Sequence, residues 1–85
     1  MPTLYKTNGD KVAIKRRRAF SVAELQEYVG GYFELIPIGD NYLVVNDEGF
    51  LMNLPLNENA SKITAQLGWL PVVGDALFTE KRFIK

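Results

Sequence analysis

The pattern of apolar and polar positions is clearest in residues 21–46, where it changes from a helical to a strand period. Val22, Leu25 and Val29 recur at the spacing of one helix face, with acidic and amide side chains on the opposite face. Gly30 follows, and a glycine directly after a helix commonly takes the left-handed conformation that ends it. We therefore predict a helix that is capped at residue 21 and ends at Gly30.

The start of this helix carries two local signals. The Ser21 hydroxyl can accept a hydrogen bond from the first turn, and Glu24 can accept one from the Ser21 backbone amide, which together form a capping box. Phe20 and Leu25 occupy the two positions of a hydrophobic staple. These signals predict that the first turn is fixed by residues close to it in the chain.

A strand period follows the helix. Residues 32–38 place Tyr, Glu, Ile and Ile on one face and Phe, Leu and Pro on the other. Gly39-Asp40-Asn41 has the composition of a hairpin turn, and the apolar run 42–45 is rich in strand formers. The segment predicts two antiparallel strands.

A second hairpin is predicted at the N-terminal end. Residues 3–7 and 11–15 are strand-like and flank Asn8-Gly9-Asp10. Asn-Gly is typical of a type I′ turn, in which both central residues need positive φ. We read residues 3–15 as this hairpin.

The second half of the chain has weaker signals. Residues 50–52 are predicted as a third strand of the sheet, and residues 54–56 as extended chain because proline disfavours helix at the residue before it. Asn57 or Asn59 is expected to cap a helix near residues 58–67, and Gly68 to end it. The predicted apolar face of that helix consists of Ala60, Ile63 and Leu67. A last strand at 72–79 is interrupted by Gly74 and Asp75.

These elements predict an α+β fold, in which an antiparallel sheet of four to six strands carries two helices packed on one face. The 85 residues suit a single domain, 1–85, with one modest core. Within it we distinguish a basic hairpin (1–20), a core (21–79) and a charged tail (80–85). A sheet covered on one side leaves the other side open, so we expect a homo-oligomer, most simply a dimer.

The composition argues against catalysis. The chain has neither cysteine nor histidine, so the commonest nucleophiles, general bases and zinc ligands are missing. We expect no enzyme activity, no cofactor and no metal site. The chain has neither a signal-peptide pattern nor an apolar run long enough for a membrane span, so we expect a cytoplasmic protein with no membrane partner. The five phenylalanines are expected in the core.

The charge is balanced overall but unevenly placed. Residues 1–20 have a net charge of +5 and residues 21–85 a net charge of −5. A net charge of zero makes nucleic acid an unlikely partner, because neutralising phosphates dominates that binding. The run Arg16-Arg17-Arg18 is either a phosphate-binding patch or a solvated strand end, and runs this short are more often surface.

Several residues are candidates for binding a small anionic ligand. Glycines allow close approach of the backbone, a helix start offers free amides, and arginine matches phosphate oxygens in pairs. A tyrosine beside them could stack on a base, and a glutamate could accept from a ribose or a base. The predicted ligand-binding set is Arg16, Arg17, Arg18, Gly30, Gly31, Tyr32, Glu34, Asn57 and Asn59. For Glu34, a plain solvent-facing position on the sheet is the favoured alternative.

Four blocks of residues resemble a family of small phage- and mobile-element-encoded proteins catalogued as a domain of unknown function. The blocks are Leu25-Gln26-x-x-Val29-Gly30-Gly31-Tyr32-x-Glu34, Val45-Asn46-x-Glu48-Gly49, Leu54-Pro55-x-Asn57-x-x-Ala60 and Val73-Gly74-Asp75. The resemblance covers roughly residues 22–79 and leaves the N-terminal hairpin outside. It implies a phage or mobile-element origin and brings no catalytic residues.

The expected function is therefore non-enzymatic binding inside a bacterial host cell. The first hypothesis is an accessory protein that sequesters a nucleotide-derived small molecule and so counters host defence. The alternative is an inhibitor that docks onto a host defence protein through an acidic face or a sheet edge.

Overall fold

The computed structural model describes residues 1–84 and is built around one antiparallel sheet. Its strands are β1 (Thr3–Tyr5), β2 (Lys11–Ala13), β3 (Phe33–Ile38), β4 (Asn41–Asn46) and β5 (Ala76–Glu80). The helices are α1 (Val22–Val29) and α2 (Glu58–Ala65), and a 3-10 turn, Lys81–Phe83, follows β5. The strand order is β2-β1-β5-β4-β3. The predicted α+β class, with an antiparallel sheet and two helices, is confirmed.

The two faces of the sheet have separate hydrophobic clusters. The cluster on the α1 face consists of Leu4, Phe20, Leu25, Val29, Val44, Leu77 and Phe83. The cluster on the α2 face consists of Ile36, Leu43, Val45, Ala60, Val72 and Ala76. Neighbouring β4 residues, such as Leu43 and Val44, belong to different clusters because successive side chains in a strand point to opposite faces.

The helices therefore lie on opposite faces of the sheet, where the sequence analysis placed both on one face. The reason is visible in β4, whose central residues are apolar at consecutive positions, as is typical of a strand covered on both sides. Both faces are thus occupied within the monomer. The central strands β4 and β5 therefore lack the open face from which the dimer was expected.

The predicted caps of α1 are confirmed. The Ser21 hydroxyl accepts from the Glu24 backbone amide at 3.1 Å, and the Ser21 amide donates to the Glu24 carboxylate at 2.9 Å. Gly30 ends the helix with φ 82°, and its amide donates to the Gln26 carbonyl at 2.8 Å. Val22 is exposed and not part of the core face, because Phe20 fills the core beside the first turn instead.

The N-terminal hairpin is confirmed, but its predicted type I′ turn is wrong. Strands β1 and β2 pair from Thr3↔Ala13 to Tyr5↔Lys11. The Lys6 amide donates to the Asp10 carbonyl and the Gly9 amide to the Lys6 carbonyl, which closes a three-residue loop. Only Gly9 in this loop has positive φ, 97°, so one left-handed residue replaces the two of a type I′ turn.

The predicted strand at residues 50–52 is wrong. Residues 47–53 form successive turns, in which the Met52 amide donates to the Glu48 carbonyl at 2.9 Å and the Leu54 amide to the Gly49 carbonyl at 3.0 Å. The extended segment at residues 54–56 is confirmed, and Leu56 forms an isolated bridge with Val73. Local turn hydrogen bonds therefore outweigh the strand preference of the apolar residues.

Helix α2 begins at its predicted cap, Asn57, but ends earlier than predicted. Its last residue is Ala65, so Leu67 lies outside the helix and is exposed, while Thr64 takes the buried position one turn after Ala60. The interruption before β5 is confirmed, since the strand begins only after Gly74.

The charged tail of residues 80–85 is mostly part of the fold. Phe83 is buried in the α1 cluster, and its carbonyl accepts from the Phe20 amide at 2.8 Å. The aromatic rings of the two residues meet edge to face, with centroids 6.3 Å apart. Lys85 lies outside the described residues.

The buried side chain of Asn57 connects α2 to two other segments. Its amide nitrogen donates to the carbonyls of Tyr5 and Gly74, at 2.8 and 2.9 Å, while its oxygen accepts from the Ala60 amide at 3.1 Å. Substitution therefore removes a helix cap and also leaves two carbonyls without their donor.

We predict that Asn57→Ala lowers the free energy of unfolding by about 3 kcal/mol or more. Asn57→Asp keeps the capping oxygen but loses both donated hydrogen bonds, so we expect a loss of about 2 kcal/mol or more. Ser21→Ala, which removes an exposed cap, serves as the control and should cost about 1 kcal/mol. Urea denaturation measures all three, and an Asn57→Asp variant as stable as the parent would show that Asn57 is only a cap.

Candidate functional site

Arg16, the first candidate ligand residue, is bound within the protein. Its guanidinium forms a two-pronged ion pair with the Glu24 carboxylate, in which Nη1 lies 2.7 Å from Oε2. Nε and Nη2 donate to the backbone carbonyls of Arg18 and Ala19, at 2.9 and 3.0 Å. The guanidinium also lies 4.4 Å from the centre of the Phe20 ring. Through these contacts Arg16 holds the segment before α1 in place.

The same ion pair controls the charge of Glu24. The hydrogen bond from Arg16, followed by the one from the Ser21 backbone amide, lowers the pKa of Glu24 to about 2. The carboxylate is therefore ionised throughout the neutral range. Sequence reasoning assigned Glu24 to the capping box, and the structure gives the same side chain a second partner eight residues away.

The Gly30-Gly31 pair accommodates the side chain of Asn46. The Asn46 amide nitrogen donates to the Val29 carbonyl at 2.9 Å, and its oxygen accepts from the Glu48 amide at 2.7 Å. A Cβ on Gly31 would lie 3.4 Å from that nitrogen. The Asn46 side chain therefore makes a buried structural contact beside the glycines that sequence reasoning missed, although Asn46 belongs to one of the four blocks of the resemblance.

The predicted ligand residues are not brought together. Arg16 to Arg18 precede α1, whereas Gly30 and Gly31 follow it, and an eight-residue helix is about 12 Å long. Asn57 is fully buried with its amide engaged on the α2 face, and Asn59 donates to the Gly9 carbonyl at 3.3 Å. The structure therefore contains no single anion site made from this set.

The other two candidates lie near the free edge of the sheet. Tyr32 is exposed directly before β3, and its carbonyl accepts from the Asp47 amide at 2.9 Å. Glu34 is exposed on β3 itself. Within the described residues β3 pairs only with β4, so its outer side is unpaired. Pro37 lies on this strand, a position that suits proline because an edge residue needs no donor on its outer side.

A groove of about 320 Å³ opens beside Glu34. Phe50, Trp69 and Leu70 line it and are 61%, 49% and 74% exposed. The buried side chains of Ile36, Val45 and Val72 form its floor, and Glu34 and Asp47 are the two acidic residues at it. We call this feature the apolar groove.

One close approach and two hydrogen bonds build the apolar groove. A Cβ on Gly49 would lie 2.6 Å from the Val73 side chain, so the 47–53 turn and the 69–73 segment approach each other closely. On the other side, the Trp69 amide donates to the Thr64 carbonyl at 3.1 Å, and the Val72 amide donates to the Ser61 hydroxyl at 2.8 Å. The segment after α2 is therefore tied to α2 by hydrogen bonds and packs closely against the turn after β4.

Sequence reasoning missed the apolar groove because it expected Phe50 in the core and did not connect it with Trp69 and Leu70. Phe50 was expected in the core, yet it is exposed. Trp69 and Leu70 follow Gly68 in a segment with no periodic pattern, and their meeting with Phe50 depends on contacts across some twenty residues of chain. The one signal of this groove in the sequence was the apolar triplet at residues 50–52, because it lies between turn residues.

Other kinds of site find no support in residues 1–84. No group of three or more acidic side chains is placed to hold a metal ion. Every buried side-chain polar atom in this range has a hydrogen-bond partner, so none is left aimed at an absent ligand. Neither helix in this range is long and apolar enough to cross a membrane.

Comparison with known proteins gives one match. A family model described as Domain of unknown function (DUF3846) matches residues 3–82. No curated protein and no solved structure matches the chain. The match includes the N-terminal hairpin and its arginines. The sequence analysis placed these residues outside the family-like region, and the match corrects that boundary.

The Arg16–Glu24 ion pair predicts a dependence of stability on pH. Because the pKa of Glu24 is lower in the folded protein than in the unfolded chain, the ionised form stabilises the fold above the ordinary value of 4.5. This stabilisation is lost as the pH falls towards about 2. The melting temperatures of the parent and Glu24→Gln should therefore differ most near neutral pH and converge in acid.

Glu27→Gln provides the matched control, because Glu27 is an exposed glutamate of the same helix. Its difference from the parent should be small, because an exposed charge contributes little to stability. If the difference in melting temperature between Glu24→Gln and the parent stays unchanged as the pH falls to about 2, the ion pair does not stabilise the fold.

Proposed function

The chain belongs to this family of unknown function, and we propose that it acts by binding, without catalysis, by docking a partner protein at the apolar groove. The observation that carries the proposal is the exposure of Phe50, Trp69 and Leu70 around one opening. Contiguous exposed apolar side chains with a polar rim are typical of protein–protein contact sites. Tryptophan is also among the residues that most often dominate the binding energy of such sites.

The apolar groove offers enough contact to anchor one large side chain. Fully burying a large aliphatic or aromatic side chain contributes about 1.5–3 kcal/mol. The floor and the flanking segments are held by backbone and side-chain hydrogen bonds, including Trp69 to Thr64 and Val72 to Ser61. A site held in this way needs little rearrangement to receive a partner, which limits the entropy lost on binding.

The acidic residues at the groove favour a positively charged partner. Glu34 and Asp47 face the opening, and no lysine or arginine among residues 1–84 lines it. A partner segment with an apolar anchor and a neighbouring lysine or arginine is therefore complementary to the groove. The free edge of β3 offers backbone groups to an extended segment, although Pro37 limits such pairing to the first part of the strand. We propose an extended basic-apolar segment as the occupant.

This geometry favours docking of a protein over sequestration of a nucleotide at the groove. The two carboxylates would repel phosphate, and the predicted arginines, Arg16 to Arg18, do not line the groove. If the chain is phage-encoded, as the sequence resemblance implies, a bacterial defence protein in the cytoplasm is the partner class that this function would serve. A second copy of the chain is the competing occupant.

We predict that peptides selected from a displayed random library on the immobilised protein share an apolar anchor next to lysine or arginine. A synthetic peptide of this kind should shift the fluorescence of Trp69, the single tryptophan, to shorter wavelength on burial. Leu70→Ser should weaken peptide binding by about tenfold, corresponding to most of one buried side chain. Val12→Ser, which removes an exposed apolar side chain from β2 at the opposite edge, is the matched control and should bind normally.

Equal binding by Leu70→Ser and the parent would place the contact elsewhere and contradict the proposal, as would a selection without any shared anchor. Sedimentation at micromolar concentration tests the other occupant. If the parent forms a dimer that Leu70→Ser dissociates and Val12→Ser leaves intact, the apolar groove binds a second copy of the chain.

A further inference from the structure

Three exposed arginines from two distant segments meet at one cleft on the α1 side of the molecule. Arg17 and Arg18 come from the segment before α1, and Arg82 from the 3-10 turn after β5. They line an open cleft of about 280 Å³ together with Phe83. Phe83 belongs to the α1 cluster, whereas the floor of the apolar groove belongs to the α2 cluster, so the two features lie on opposite faces of the sheet.

The framework under these arginines is held in place. Arg16 is bound to Glu24 and donates to the carbonyls of Arg18 and Ala19, which fixes the path of the chain at Arg17 and Arg18. The Phe20 amide donates to the Phe83 carbonyl at 2.8 Å and joins the two segments directly. Arg16, whose guanidinium is held by these contacts, therefore positions Arg17 and Arg18, whose side chains are exposed.

The cleft has an excess of positive charge. Within residues 1–84, neither Arg17 nor Arg18 has a carboxylate within ion-pair distance. Arg82 reaches the Glu80 carboxylate only at 3.5 Å, and the same oxygen lies 3.3 Å from the N-terminal ammonium group. The guanidinium of Arg82 also lies 4.7 Å from the centre of the Phe83 ring, which orients it. Glu24, the nearest acid on α1, is neutralised by Arg16.

We infer that Arg17, Arg18 and Arg82 form a binding site for the phosphate groups of a small ligand, a phosphomonoester or a diphosphate. Planar guanidinium groups bind phosphate oxygens in pairs, and their charge is insensitive to pH in the physiological range. The cleft is shallow and its aromatic neighbours, Phe20 and Phe83, are buried. It therefore recognises phosphate and offers no surface on which a base would stack.

This site is independent of the proposed docking function. It involves none of the residues of the apolar groove, and Leu70→Ser should leave it intact. It also differs from the anion site expected from the sequence, because it excludes Gly30, Gly31, Asn57 and Asn59, keeps Arg16 only as a positioning residue, and adds Arg82.

Calorimetric titration with pyrophosphate, ATP, adenosine and sulfate at physiological salt tests the inference. We expect pyrophosphate and ATP to bind with similar affinity, and adenosine not to bind. Arg17→Gln/Arg18→Gln should weaken pyrophosphate binding by about tenfold or more, through loss of charged hydrogen bonds. Arg82→Gln should weaken it too, because the site draws on both segments. Lys11→Gln/Lys15→Gln removes the same charge from exposed positions on the hairpin and should change the affinity little.

Four results would overturn the inference. Absence of pyrophosphate binding to the parent protein would exclude the site. Equal weakening by the arginine and lysine double variants would show a general effect of net charge. Sulfate binding as tightly as pyrophosphate, or an unaffected Arg82→Gln variant, would show that the cleft does not recognise phosphate as a formed site. Melting temperatures of all variants, which should stay near that of the parent because these charges are exposed, verify that the fold is retained.

Discussion

Burial of β4 on both faces is the constraint on which the rest of this structure depends. Leu43 and Val44 are adjacent in the strand, point in opposite directions and are both fully buried. A strand of this kind is stable only if each face of the sheet receives its own cover. The chain provides one eight-residue helix for each face, together with Phe20 and Phe83 on the α1 side. Both faces are thus closed within a short chain.

Two asparagine amides attach these short helices to the sheet. Asn46, at the end of β4, donates to the last carbonyl of α1, and Asn57 caps α2 while donating to carbonyls beside β1 and β5. Buried backbone groups at helix and strand ends need partners, and an amide can serve a donor and an acceptor together. The attachment therefore comes from polar side chains as well as from the hydrophobic clusters.

Closing both faces leaves recognition to the edges and the connecting segments. The acidic apolar groove lies on the α2 side, where the turn after β4 meets the segment after α2. The arginine cleft lies on the α1 side, where the segment before α1 meets the end of the chain. The two surfaces used in the proposals thus carry opposite charges and lie on opposite sides of the sheet.

The sequence by itself determined the features whose partners are a few residues apart. These are the capping box of Ser21 and Glu24, the stop at Gly30, the two hairpins and the cap at Asn57. Tertiary structure alone decided which face each helix covers, because strand alternation separates two faces without saying what packs on each. It also decided the pairing of Arg16 with Glu24 across a loop, and the placement of Phe50, Trp69 and Leu70 around one groove. Such contacts join residues that are far apart in the chain, so no local spacing encodes them and only the packed sheet brings them together.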